Sequence, residues 1–204
     1  LKSESRWLTR DSGIPTGLDP WEIARRLAHL PGLVFLDSAL ARPGAISRIA
    51  ACPDEIIEGE TAADWQRLRE AIASHAGGAG MAAGYIEYEG RFRFGLYGRV
   101  LTFIHDDARW ADTGGLAALQ GQPSPETDEK ISFRPEMAGA DYEAMVRQAQ
   151  EYIASGDIYQ VNLAHRFSGP WSRSPAQALG FYARLRRCSP APYGALLCGE
   201  SHVI

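Results

Sequence analysis

Between Ala140 and Phe167 the sequence changes its hydrophobic period once, and that change constrains the fold more than any other feature. Tyr142, Met145, Val146, Ala149, Tyr152 and Ile153 fall on one stripe of a 3.6-residue helix. Asp141 or a neighbour is placed to cap it, and Gly156 to close it in the left-handed conformation. From Ile158 the period becomes two. Tyr159, Val161, Leu163, His165 and Phe167 share one face; Ile158, Gln160, Asn162, Ala164 and Arg166 share the other. The pattern predicts a helix feeding a two-sided strand, and a strand of that kind belongs in a sheet.

The rest of the chain is punctuated in the same mixed manner. Asp19-Pro20 is a helix start, Ile23, Ala24, Leu27 and Leu30 follow at helical spacing, and Pro31-Gly32 ends the run. Leu33–Leu36, Ser47–Ala51 and Glu55–Glu58 read as strands. Thr61 is placed to cap a second helix with Trp65, Leu68 and Ile72 inward, ending before Gly77-Gly78. Met81–Tyr88, Arg91–Tyr97 and Arg99–His105 read as strands, and Asp112–Leu119 as a short helix. Gly121–Lys130 is acidic, proline-bearing and aperiodic, which predicts a surface linker. Ser174-Pro175 opens a helix with Leu179, Tyr182 and Leu185 inward, and Tyr193–Cys198 is a strand.

Composition excludes several classes. Hydrophobic residues make up 45% of the 204 and charged residues 23%, near the averages of globular proteins. No apolar run approaches the roughly 20 residues of a membrane helix, and Leu1–Arg10 holds charges where a signal peptide needs an apolar stretch. A cytoplasmic protein without membrane contact is expected. Net charge is −4, which argues against nucleic acid as a partner. Arg184, Arg186 and Arg187 read as one solvated helix end. Cys52, Cys188 and Cys198 form no Cys-x-x-Cys pair, so buried reduced thiols are expected. The chain opens on Leu1 rather than Met and closes on the strand-like His202-Val203-Ile204, so further sequence is expected on both sides.

Motifs that carry chemistry are few. Gly78-Ala79-Gly80-Met81-Ala82-Ala83 spells a dinucleotide fingerprint, but it lies between a helix and a strand in the wrong order. A close-packed turn is the better reading. Glu87 and Glu89, two apart on a strand, form a carboxylate pair that reads as a solvated face, and Asp106-Asp107 as a turn. The five histidines are scattered without ligand spacing, and His165 reads as a hydrogen-bonded core residue. Gln160, Asn162 and Arg166, in a row on one face, suit a structural hydrogen-bond network better than catalysis.

Gly156-Asp157-Ile158-Tyr159-Gln160-Val161-Asn162-Leu163-Ala164-His165-Arg166-Phe167, with its helical prefix, resembles a signature of the chorismate-utilising synthases. Leu30-Pro31, Phe35-Leu36-Asp37-Ser38, Gly77-Gly78, Gly84-Tyr85-Ile86-Glu87-Tyr88-Glu89 and Ser189-Pro190-Ala191-Pro192-Tyr193 resemble further elements of that family in the same order. The resemblance implies an α+β fold: antiparallel β-sheets packed as a sandwich with helices on the outside, incomplete here. It implies an N-terminal component I-type domain over 1–120, a linker over 121–135, and the start of a chorismate-binding domain over 136–204.

Asn162 leans the resemblance toward the aminodeoxychorismate branch, in the para-aminobenzoate route to folate, whose version usually reads Gln-Val-Asn-Leu. The anthranilate branch is the rival. The implied reaction aminates chorismate with ammonia from a glutamine amidotransferase subunit and needs Mg²⁺. The aminodeoxychorismate branch's nucleophilic lysine, in a Pro-Ile-Lys-Gly-Thr segment, and the family's metal-binding glutamates have no counterparts here. No catalytic or metal residue is therefore assigned, and the chain alone is expected to be inactive. The resemblance does place a tryptophan-type pocket at Ser38, at Ile46, Ser47, Arg48 and Ile49, and at Pro192, Tyr193 and Gly194. A packed inter-sheet junction without ligand is the alternative there, and a non-catalytic amino-acid-binding module the alternative for the chain.

Overall fold

A computed structural model describes residues 13–15, 17–75, 80–127, 131–171, 174–200 and 202–204. They form two compact units, one of Leu1–Asp128 with Arg173–Ile204 and one of Glu129–Ser172.

The first unit is built on two antiparallel sheets. Strands β1 (Val34–Asp37), β2 (Ile46–Ala50) and β3 (Glu55–Gly59) precede β4 (Met81–Ile86), β5 (Phe92–Tyr97), β6 (Val100–Ile104) and β7 (Arg109–Thr113); β10 (Gly194–Leu197) comes near the end. The large sheet runs β10-β1-β2-β6-β7 and the small one β3-β5-β4. Alternation decides what each face covers. Phe35, Ile49, Leu101 and Leu196 point to one side of the large sheet. There they pack with Ile23, Ala24 and Leu27 of helix α1 (Pro20–Leu27) and Leu179 and Ala183 of helix α4 (Pro175–Cys188). Val34, Ala50 and Val100 point to the other side and meet Tyr97, Met81 and Ala83 of the small sheet. The far face of that sheet carries Phe92 and Leu96, covered by Leu68 of helix α2 (Ala62–His75), with Trp65 and Ile72 beside it. The layers are helices, sheet, sheet, helix, as expected for an α+β sandwich with its helices outside.

Helix starts follow the sequence. Asp19 accepts from the Glu22 N–H and Ser174 from the Gln177 N–H, each just before a first-turn proline. Thr61 and Asp64 cap α2 reciprocally. Replacing Ser174 with alanine is expected to cost about 1 kcal/mol, read from the midpoint of urea unfolding.

The second unit holds the long helix α3 (Gly139–Ser155) and a two-residue pair, β8 (Arg134–Pro135) with β9 (Phe167–Ser168). Gly156 closes α3 at φ 83°, as expected. Two expectations fail here. Ala138, not Asp141, takes the N-cap position, and it offers no side-chain bond. The strand expected over Ile158–Phe167 is confined to its last residue. Period two assigns side chains to faces but supplies no neighbour, and a strand exists only as part of a ladder. Among the described residues 158–165 pair with none.

Elsewhere, Asp112–Leu119 is not one helix: β7 occupies its start, and a one-turn 3-10 helix its end at Leu116–Leu119. Asp112 terminates the strand by accepting from the Leu116 and Ala117 N–H groups. β4 ends at Ile86, so Glu87 and Glu89 sit in a turn, where Glu87 pairs with Arg91 at 3.6 Å. The start of the glycine fingerprint, Gly78 and Ala79, lies outside the described residues. The three cysteines are free, but Cys188 is exposed and Cys52 and Cys198 only half-buried. Leu185 is exposed at the end of α4, and His165 stacks on Tyr142.

Candidate functional site

The expected pocket residues meet at one end of the large sheet. β1 pairs with both neighbours, Leu36 opposite Arg48 and Asp37 opposite Gly194. One residue further, the same registers place Ser38 between Ile46 and Tyr193. Period two then sorts the set into two rows. Ser38, Ile46, Arg48 and Tyr193 lie on the face away from α1 and α4, whereas Ser47, Ile49 and Gly194 share Asp37's face. Exposure follows the rows except at Ser38: Tyr193 is 92% exposed and Ile46 39%, Ser47 and Ile49 are at 0%, and Ser38, although on the outer row, is buried at 6%.

Hydrogen bonds join the rows. The Ser38 hydroxyl lies 2.9 Å from the Ile46 carbonyl and 3.0 Å from that of Pro192. It has one hydrogen to share between them, and its lone pairs stay available. The Ser38 N–H donates to Ser47 Oγ at 3.0 Å, and Ser47 Oγ lies 2.9 Å from His105 Nε2.

Behind them sits a charged cluster. The Asp37 carboxylate takes the Arg186 Nε–H at 2.9 Å, its Nη2–H at 3.4 Å and the Tyr182 hydroxyl at 3.2 Å. Burial, together with the Asp37 charge, pushes the Tyr182 hydroxyl well above its ordinary range, so it remains a donor. Burial also holds the His105 imidazole below the usual histidine range, although the Asp37 and Asp106 charges pull the other way; Arg186 acts with burial. Arg186 is thus drawn inward, not part of a solvated helix end.

Sequence reasoning missed His105, Asp37 and Arg186. A signal for His105 was present: Leu101, Phe103 and His105 alternate, so the histidine ends the row that faces the core. Asp37 and Arg186 are 149 residues apart, and no local pattern links them.

A second concavity of about 740 Å³ lies beside the small sheet, lined by Glu58, Glu60, Asp64, Glu87, Arg91 and Arg93 among others. Its charges are largely paired with one another, as in Glu58–Arg93 and Glu60–Arg91.

Comparisons with known proteins bear on this arrangement. The sequence pattern of chorismate binding enzymes matches residues 44–204. Aminodeoxychorismate synthase component 1 of Streptomyces lividans is 46% identical over 115 residues, covering 50% of this chain and 23% of that protein. The Escherichia coli (strain K12) protein of that name is 38% identical over 100 residues, 49% of this chain and 21% of its own. Anthranilate synthase component 1 of Thermus thermophilus is 35% identical over 92 residues, 45% of this chain and 19% of its own. The crystal structure of anthranilate synthase component I from Streptococcus pneumoniae TIGR4 superimposes with a TM-score of 0.55 at 20% identity, over 75% of this chain and 47% of that one, so the fold is shared. The matched stretch is thus 23% or less of each of these three curated relatives.

Proposed function

This chain belongs to the chorismate-binding enzyme family, and from that premise we propose that it is the N-terminal part of a synthase making 4-amino-4-deoxychorismate. Ammonia released by a glutamine amidotransferase partner replaces the 4-hydroxyl of chorismate, and water is the other product. The observation that carries this choice within the family is Asn162 in Gln160-Val161-Asn162-Leu163. Identity of 46% to the Streptomyces synthase supports it. Identity of 35% to the Thermus protein favours the second reading, an anthranilate synthase.

Mg²⁺ belongs to this proposal for the whole enzyme. Among the described residues no group of three or more His, Cys, Asp or Glu is placed to hold a metal ion. The described residues therefore do not fit the ion, and no step is routed through it here. Nor is any of the described helices long and apolar enough to cross a membrane; a cytoplasmic place in para-aminobenzoate and folate synthesis is the setting this reading implies.

Within the chain we propose an amino-acid pocket of the tryptophan type. Ser38, with lone pairs free, accepts from the ligand ammonium. Arg48, exposed on the same face, meets the carboxylate. Ile46 and Tyr193 offer apolar surface to the indole. Ser47, Ile49, Pro192 and Gly194 form the wall behind them.

The deciding experiment gives the full-length enzyme chorismate, ammonia and Mg²⁺ and identifies the product. Aminodeoxychorismate is expected; anthranilate, with inhibition by tryptophan, would overturn the choice. The 204-residue chain alone is expected to give no turnover, and measurable turnover would place catalytic residues within it.

A further inference from the structure

We propose that His105 is a positioning residue of this pocket: through the Ser47 hydroxyl it fixes the Ser38 backbone, and through Ser38 the turn at Pro192 and Tyr193. The inference rests on the pocket reading above.

Register brings these groups together. The His105 N–H donates to the Ala45 carbonyl at 3.1 Å, which carries the β2–β6 ladder one step past Ile46 and Ile104. His105 therefore shares a face with Phe103, whose partner across the ladder is Ser47. The Phe103 ring stands edge-on to the imidazole with centroids 4.9 Å apart and limits its rotation. From Nε2 the bonds run through Ser47 Oγ at 2.9 Å to the Ser38 N–H at 3.0 Å, and from the Ser38 hydroxyl to Pro192 at 3.0 Å. One chain of bonds thus joins β6, β2, the end of β1 and the approach to β10.

The chain has a direction. Ser47 Oγ already accepts from the Ser38 N–H, so its own hydrogen needs an acceptor. Ser47 is at 0% exposure, and an unplaced hydroxyl hydrogen there is costly. A neutral imidazole, protonated at Nδ1, accepts it at Nε2. A second proton makes Nε2 a donor and reverses the bond. The charges that act on the ring are those of Asp37 from β1, Asp106 from the following turn and Arg186 from α4. Burial favours the neutral form of the imidazole, which suits the accepting role.

Backbone NMR of the 204-residue chain between pH of about 4 and 8 tests the relay. The Ser38 amide is expected to move with the His105 titration, at a midpoint below the ordinary value of about 6.5. In Ser47→Ala the Ser38 response should vanish while the Asp106 amide still follows. A Ser38 amide that ignores His105, or that follows it equally in Ser47→Ala, overturns the inference. Calorimetry with L-tryptophan adds the functional arm. His105→Phe is expected to weaken binding about tenfold or more, and His105→Gln, which keeps an acceptor, to stay within about threefold of wild type. His105→Phe binding as wild type would also overturn it. If Ser38 follows His105 but tryptophan does not bind, the pocket reading fails while the relay stands.

Discussion

Replacing Asp37 with alanine is expected to remove about 3 kcal/mol of folding stability, the lower end of what breaking a buried ion pair costs. The readout is a lower denaturant midpoint at an unchanged slope. The Asp37 side chain is 1% exposed and Arg186 21%. Truncation leaves a guanidinium poorly solvated, 5.9 Å over the Trp21 ring, and a Tyr182 hydroxyl aimed at an empty space. Water reaches part of the arginine, which is why the lower end is chosen. Arg186→Met is expected to cost a comparable amount, since it strands the carboxylate. The pair Asp37→Leu with Arg186→Met should recover part of the loss, because two apolar side chains need no partner, while the Tyr182 hydroxyl still lacks its acceptor. A single Asp37→Ala variant within 1 kcal/mol of wild type would show the pair to be no more than a surface contact. Function enters through position. Asp37 is the residue before Ser38, so a β1 that loses its tie to α4 also loosens the proposed pocket.

What could be read from the sequence follows from how far each signal reaches. Caps and periods are local, and they placed α2, α4 and strands β1 to β6 within a residue or two; α1 starts where expected but ends at Leu27, three residues short of Leu30. Gly156 needed only its own backbone conformation. β7 escaped because Trp110 and Ala111 are its buried residues, too short an alternation to separate from the turn that follows. Ile158–Phe167 misled for the opposite reason: its alternation is long, but alternation says nothing of a neighbour. The residues of the proposed pocket could be named from the resemblance at Ser38 and Pro192-Tyr193, and the structure brings them to one end of the large sheet. Their division into two rows was not readable, because the register that separates Ile46 from Ser47 arises only when β1, β2 and β10 pair. The partners of His105 and Arg186 had the least chance, even where the row that ends at His105 could be read. Their roles depend on contacts across 58 and 149 residues.

The run from Gly121 onward reads as a linker, yet over 121–127 it is seated on two helices, and one glycine tests how firmly. Gly121 and Ser124 donate their N–H groups to the Arg26 and Arg25 carbonyls, and Thr127 donates to that of Ala176. Glu126 accepts from Trp21 Nε1 at 2.8 Å and faces Arg25 and Arg187. Gly180, inside α4, lies directly beneath. A Cβ there would stand 2.0 Å from the Thr127 carbonyl oxygen and 2.9 Å from its carbon and nitrogen. Two effects compete in Gly180→Ala. Helix propensity favours alanine by about 1 kcal/mol. Contact with a backbone carbonyl cannot be relieved by turning a side chain, so α4 or the segment must shift, at a cost of about 1–3 kcal/mol and more where bonds are lost. Lifting Thr127 also pulls on Glu126 and its ties to Trp21 and Arg25. The clash is therefore expected to win by about 2 kcal/mol, seen as a lower midpoint, together with faster proteolytic cleavage within 121–127. Gly180→Ala at or above wild-type stability would mean that propensity dominates and that the segment is a linker in the ordinary sense, resting on α4 without being held by it.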